Sequence, residues 1–285
     1  MNIFINDVQA EITLDTEKTL GDVMTGIELW LSPTGNRIQR ICTNGKEIPG
    51  ELLSEAFCTE IENIERLDIY VSAFRELASE ALEILFETCI RQEKASFDER
   101  AQILADWKES AGARFLNSDI PDMYNLAERV LSGDGLSVAD FTVIVEERLR
   151  ELADPCKETS DSETFVNIVC KRLEEFPLDM QTGKDQRAAE TIQLFSQISA
   201  KLFRIFLVHK SEGLSLETFT IEERSAKTFI EEFNAALLEL SEAYENRDTV
   251  LAGDIAEYEL APRFLKIFTA MKEIKNPGST LVSEP

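Results

Sequence analysis

The groups in this 285-residue chain that could do chemistry are one histidine, five cysteines and an excess of carboxylates. His209 falls late in a helical stretch, beside Lys210 and ahead of Gly213, where a histidine favours the helix dipole. Acyl-transfer chemistry would need a nucleophile and an orienting group delivered to it, and geometry rather than residue type makes such a triad. Cys42, Cys58, Cys89, Cys156 and Cys170 are odd in number and contain no C-x-x-C pair, so zinc and dithiol chemistry lack a framework and free, mostly buried thiols are expected. Asp254, Glu257 and Glu259, around Tyr258, loosely match the inward carboxylates of a metal-binding bundle. Di-metal bundles pair Glu with a His one turn on; no Glu-x-x-His occurs, so a solvated or capping face is expected there. No glycine-rich loop fits a dinucleotide or P-loop motif, and Gly133-Asp134-Gly135 reads as a turn before the helix cap Ser137. These groups therefore predict no catalytic residue, no metal and no cofactor.

The elements that would position a site are of two kinds, meeting near Ser72 to Phe74. Before the junction, residues 2 to 5 and 11 to 15 alternate as strands around a turn at Asn6-Asp7. Thr19 caps a helix carrying Leu20, Val23, Ile27, Leu29, Trp30 and Leu31, ended by Ser32-Pro33-Thr34-Gly35. Arg37 to Thr43 is a strand stopped by the tight turn Asn44-Gly45, and Glu65 to Val71 closes a β-β-α-β-β order.

After the junction, three-four spacing takes over. Ser96-x-x-Glu99 is a capping box, and helices are expected at about 96 to 107, 120 to 132, 137 to 153 and 162 to 175, the last stopping before Pro177. Others follow at 184 to 210, at 221 to 246 after a second capping box at Thr220-x-x-Glu223, and at 248 to 275, where Pro262 should kink or split the helix. Lys157 to Glu163 and the tail 276 to 285 read as flexible. The expected class is α+β: a module at 1–73, a helical bundle at 74–275 and the tail.

Met1-Asn-Ile-Phe-Ile5, Ile12-Thr-Leu14, Thr19-Leu-x-Asp-Val23, Asn44-Gly45-Lys46 and Leu67-Asp-Ile-Tyr-Val71 follow one another in an order and spacing that resembles the ubiquitin-like β-grasp fold over about a quarter of the chain. Relatives of that kind act as carriers through a carboxyl-terminal Gly-Gly, where this chain has Ser72-Ala73-Phe74 and runs on into a helix. What the resemblance implies instead is a sheet face presented to partners. With Ile3, Ile5, Ile41, Leu67 and Ile69 turned to the helix, Phe4, Cys42 and Tyr70 share the opposite face, an apolar patch either covered by the helical part or left for a partner. Tyr258, in the apolar stretch around Pro262, is the other candidate contact.

Composition narrows the partners. With 29 Lys and Arg against 54 Asp and Glu, the net charge of −25 opposes binding to nucleic acid or anionic lipid and favours proteins with basic surfaces. No uninterrupted apolar run approaches the roughly 20 residues of a membrane span, and the first residues lack the pattern of a secretory signal. A cytoplasmic, non-catalytic interaction protein is the expectation: a scaffold, adaptor or chaperone-like helper. The alternative is a carboxylate- or divalent-metal-dependent enzyme with its site at the junction.

Overall fold

The computed structural model describes residues 1–14, 16–31 and 35–274. Strand β1 (Asn2–Ile5) turns through Asn6 and Asp7, both at positive φ, into β2 (Val8–Gln9). Asn and Asp are the residues that tolerate this left-handed backbone. The strand expected at 11–15 does not form. Pairing of Phe4 with Gln9 and Ile5 with Val8 would set Ile12 opposite Met1, past the first residue of β1, so the ladder ends before the alternating stretch begins. Leu14 still packs against the core while Ile12 is 40% exposed, and Asp15 lies outside the described residues.

Helix α1 (Leu20–Leu31) starts at a reciprocal cap: Asp22 N–H donates to the Thr19 hydroxyl at 3.2 Å, and the Asp22 carboxylate accepts from the N–H of Thr19 at 2.9 Å and of Lys18 at 3.0 Å. Those backbone hydrogen bonds hold the Asp22 carboxyl below its usual range. Leu20, Val23, Met24, Ile27 and Leu31 are buried, whereas Leu29 and Trp30, expected in the same apolar stripe, stand 71% and 60% exposed.

Strand β3 (Asn36–Thr43) returns through Asn44-Gly45, both at positive φ, into the short β4 (Lys46–Glu47). After a one-turn helix α2 (Leu53–Ala56), β5 (Arg66–Ala73) enters the middle of the sheet. The order is β2-β1-β5-β3-β4, with β1 parallel to β5 and the other pairs antiparallel. Ile3, Ile41, Leu67 and Ile69 bury against α1, as their alternation predicts. The result is a five-stranded mixed sheet with one helix across its inner face.

Helices follow from Phe74: α3 (Phe74–Lys94), α4 (Phe97–Lys108), α5 (Ala111–Asp119), α6 (Pro121–Leu131) and α7 (Val138–Ala153). The Ser96 box is present, with Ser96 N–H and hydroxyl both donating to Glu99. Helix α5 is absent from the sequence reading because its buried face is small: Gly112, Ala113 and Leu116. A Cβ on Gly112 would lie 3.2 Å from the Ala81 backbone, so close helix contact, not hydrophobic bulk, holds it.

The chain divides into two compact units, Met1–Leu149 with Ser211–Gly213, and Arg150–Lys210 with the residues from Leu214 onward. In the second, α8 (Pro155–Asp161) occupies the stretch expected to be flexible. Asp154 caps it by accepting from Lys157 N–H at 2.9 Å, Pro155 opens it, and Thr159 and Ser162 turn their hydroxyls back onto carbonyls one turn earlier. Helix α9 (Glu163–Gln181) runs through Pro177 instead of stopping before it. Burial of Leu173, Phe176 and Asp179 on both sides of the proline outweighs the one lost hydrogen bond.

Helix α10 (Asp185–Ser211) is long and apolar enough, by length and composition, to cross a bilayer. In this fold it carries core residues Phe195, Leu202, Ile205 and Phe206, and two of its cations are paired: Lys201 with Glu158 at 2.7 Å and Arg204 with Glu151 at 2.8 Å. The capping box expected at Thr220-x-x-Glu223 is a hairpin instead, β6 (Thr220–Ile221) and β7 (Arg224–Ser225), turning through Glu222 and Glu223 at positive φ. Ser225 then caps α11 (Ala226–Glu245).

The last stretch splits where Pro262 requires it: α12 (Thr249–Asp254), a π-helical segment Ile255–Leu260, then α13 (Ala261–Lys272). Pro262 cannot donate to the Tyr258 carbonyl, and a widened turn ahead of it relieves the clash. Ile255 and Leu260 face inward, while Val250, Leu251 and Tyr258 are exposed. The expected tail at 276–285 lies outside the described residues.

Candidate interaction face of the N-terminal sheet

Period-two alternation along β5 sends Leu67, Ile69 and Val71 inward and Arg66, Asp68, Tyr70 and Ser72 outward. The registers then align Gln9, Phe4, Asp68, Cys42 and Glu47 as successive partners across the outer face. Strand β3 would lose phase without its bulge between Ile38 and Arg40. One extra residue, Gln39, lets Ile38 and Ile41 both face the core and places Arg40 opposite Tyr70.

The three candidates Phe4, Cys42 and Tyr70 are thus brought onto one face, each partly buried. That face is not the expected apolar patch, because arginines from the same sheet lie over its rings. The Arg66 guanidinium sits 3.8 Å from the centre of the Phe4 ring and donates to both Asp68 carboxylate oxygens at 2.6 to 2.9 Å. Arg40 lies 4.0 Å from the centre of the Tyr70 ring and 3.9 Å from the Glu47 carboxylate. Tyr70 donates its hydroxyl to Asp7 at 3.0 Å, which holds the phenol above its usual pKa. Asn6 fixes the adjacent turn by bonding the N–H and carbonyl of Val71 at 2.9 and 3.0 Å.

Cys42 lies between Asp68 and Glu47, and burial pushes its thiol above the ordinary range, Arg40 opposing the effect and both carboxylates adding to it. A raised thiol pKa makes a poor nucleophile. Burial pushes the Cys89 and Cys170 thiols further, to about 11. Alkylation of the native protein at pH 8, followed by peptide mass spectrometry, is expected to label exposed Cys58 first and to leave Cys89 and Cys170 unmodified. Labelling of Cys89 at the rate of Cys58 would contradict these assignments.

Arg40, Arg66 and Asp68 were missed as members of the face by reading apolar residues alone. The spacing Arg66-x-Asp68-x-Tyr70 already puts all three on one side of a strand, and that signal was available.

Tyr258, in the second unit, stands 64% exposed. The neighbouring Glu257 carboxylate raises the phenol's pKa, and Glu259 pairs with Arg263 one turn on. Among the described residues no three His, Cys, Asp or Glu side chains gather as a metal site.

Comparison with known proteins gives two partial likenesses. Residues 1–73 match the family model described as the TP0873 N-terminal domain, and residues 145–270 match a domain of unknown function, DUF8042. No curated protein and no solved structure matches the chain.

Proposed function

We propose that this chain is a non-catalytic, cytoplasmic protein-interaction protein, a scaffold, adaptor or chaperone-like helper, that docks a partner through the outer face of its N-terminal sheet. The observation that carries the reading is the pair of arginine–aromatic stacks, Arg66 on Phe4 and Arg40 on Tyr70, displayed on a partly exposed sheet face. Arg and Tyr dominate binding hot spots because they bring large, rigid contact area together with hydrogen-bonding capacity. The Arg66 stack is held in place beforehand by the Asp68 carboxylate, and the Tyr70 ring by its bond to Asp7, so less side-chain freedom remains to be lost on binding. The sheet order, with parallel β1 and β5 at its centre and α1 across the inner face, supports the ubiquitin-like reading, in which a sheet face serves as the docking surface.

The charge balance supports the choice of partner class. Arg40 and Arg66 face Glu47 and Asp68, so the stacks add no net positive patch to a chain of charge −25. Long-range attraction then favours a protein with a basic surface.

Tyr70→Ala is expected to lower the melting temperature only slightly, since it removes one exposed cation–π contact and one hydrogen bond. Partner retention on the immobilised protein should fall at least about tenfold, as for loss of an aromatic anchor. A melting temperature lowered by a core-sized amount would place Tyr70 in an internal contact instead. Unchanged retention would reject the docking face.

A further inference from the structure

A groove of about 650 Å³ runs between the segment Val8–Leu14 and helix α1. Ile5, Val23 and Ile27 form its apolar floor, and Val8, Ile12 and Trp30 border it at 70, 40 and 60% exposure. Side chains this large are seldom left uncovered together unless something binds there. The groove faces away from the arginine–aromatic stacks, since its floor residues belong to the inward set of the sheet and to α1.

Two further features identify what fits. Glu11–Leu14 belongs to no strand, and among the described residues its N–H and C=O groups have no main-chain partner. One wall therefore offers a row of hydrogen-bonding groups, as a sheet edge does. On the opposite wall, Gly26 sits inside α1 with nothing within 4 Å of the position its Cβ would take. A glycine inside a helix costs about 1 kcal/mol relative to alanine, and neither a turn nor internal packing calls for one here. The space it leaves opens into the groove, where a second backbone can approach closely.

Charge selects among occupants. The lining carries Glu11 and Glu17 and no Lys or Arg, and a second copy of a chain of charge −25 would be repelled.

We propose that this groove binds an extended, apolar segment of a basic partner protein, added as a strand along Glu11–Leu14 and flanked by Lys or Arg. Main-chain hydrogen bonds would hold the segment, and its alternate side chains would pack toward Ile27 and Trp30. This site is separate from the sheet's outer face, and its test does not depend on that face.

The probe is a set of capped nine-residue peptides, Lys-Lys-X-Thr-X-Thr-X-Lys-Lys, with X drawn from Val, Ile, Leu and Phe, titrated into the full chain. Trp30 reports directly, because the only other tryptophan, Trp107, is 2% exposed. At least one peptide is expected to bind saturably with a blue shift that Trp30→Phe removes. Replacing its terminal lysines by glutamate should weaken binding at least tenfold, and Glu11→Lys should reverse that preference. Gly26→Leu should fill the groove, keep the melting temperature and abolish binding; Gly26→Ala should raise the melting temperature and weaken binding less. The proposal is overturned if no peptide binds saturably, if glutamate-flanked peptides bind equally well, or if Gly26→Leu folds and still binds. It is likewise overturned if the chain alone forms a dimer that Gly26→Leu abolishes, since the groove would then hold a second copy.

Discussion

Ile69→Asp is expected to unfold the N-terminal sheet. Ile69 has no solvent exposure and lies on the central strand, between Ile5 of β1 and Ile41 of β3. An aspartate there would lie among apolar side chains, Ile3, Ile41 and Leu67 of the sheet and Val23, Met24 and Ile27 of α1, and a buried unpaired charge costs several kcal/mol, a large share of the roughly 5 to 15 kcal/mol that holds a domain. Hydrogen exchange should lose its slow amides at Leu67 to Val71. The contrast is Ser72→Asp on the outer side of the same strand, where a surface change is expected to stay within about 0.5 kcal/mol. Equal protection in Ile69→Asp and the unsubstituted protein would show that the inner face is not packed as described.

Phe264→Ala is the corresponding change in the second unit. The ring, 1% exposed, meets Phe195 edge-on at 5.2 Å and stacks on Phe233 at 6.3 Å. Removing it leaves a cavity among rings that cannot collapse onto it, and truncations of this type cost about 3 to 5 kcal/mol. Denaturant unfolding should show the midpoint moving down with little change in slope. Leu265→Ala, one residue on and 41% exposed, should move it far less. Similar losses for the two would mean that the helix presents a different face to the core.

Much of this architecture can be read from local patterns. Asn6-Asp7 and Asn44-Gly45 name their turns because positive φ restricts the residues able to sit there, and the alternation of Leu67, Ile69 and Val71 names a face. Capping boxes divide less cleanly. Ser96-x-x-Glu99 starts a helix, whereas Thr220-x-x-Glu223 folds as a hairpin whose turn puts Glu223 at positive φ. Local polarity is the same in both; what differs is the neighbourhood, with Ile221 buried in the second unit's core. Helix α8 escaped for the opposite reason, since its Ser, Thr and acid content looks solvated until Glu158, Thr159 and Ser162 are buried by tertiary packing.

The outer face of the sheet was half legible. Strand pleat alone places Phe4, Cys42 and Tyr70 together. Their cover depends on the bulge that turns Arg40 outward and on the reach of Arg66 across to β1, and the bulge emerges only when Ile38 and Ile41 must share one core.

The most direct test of the outer face as a docking surface is photo-cross-linking from position 39, the exposed bulge residue beside Arg40. A benzophenone side chain placed there, in the full chain within native extract, is expected to give a discrete adduct with a partner protein. An excess of unlabelled protein should compete the adduct away, and an excess of the folded Arg40→Ala/Tyr70→Ala double variant should not. No adduct from position 39, or equal competition by the double variant, would contradict docking through this face.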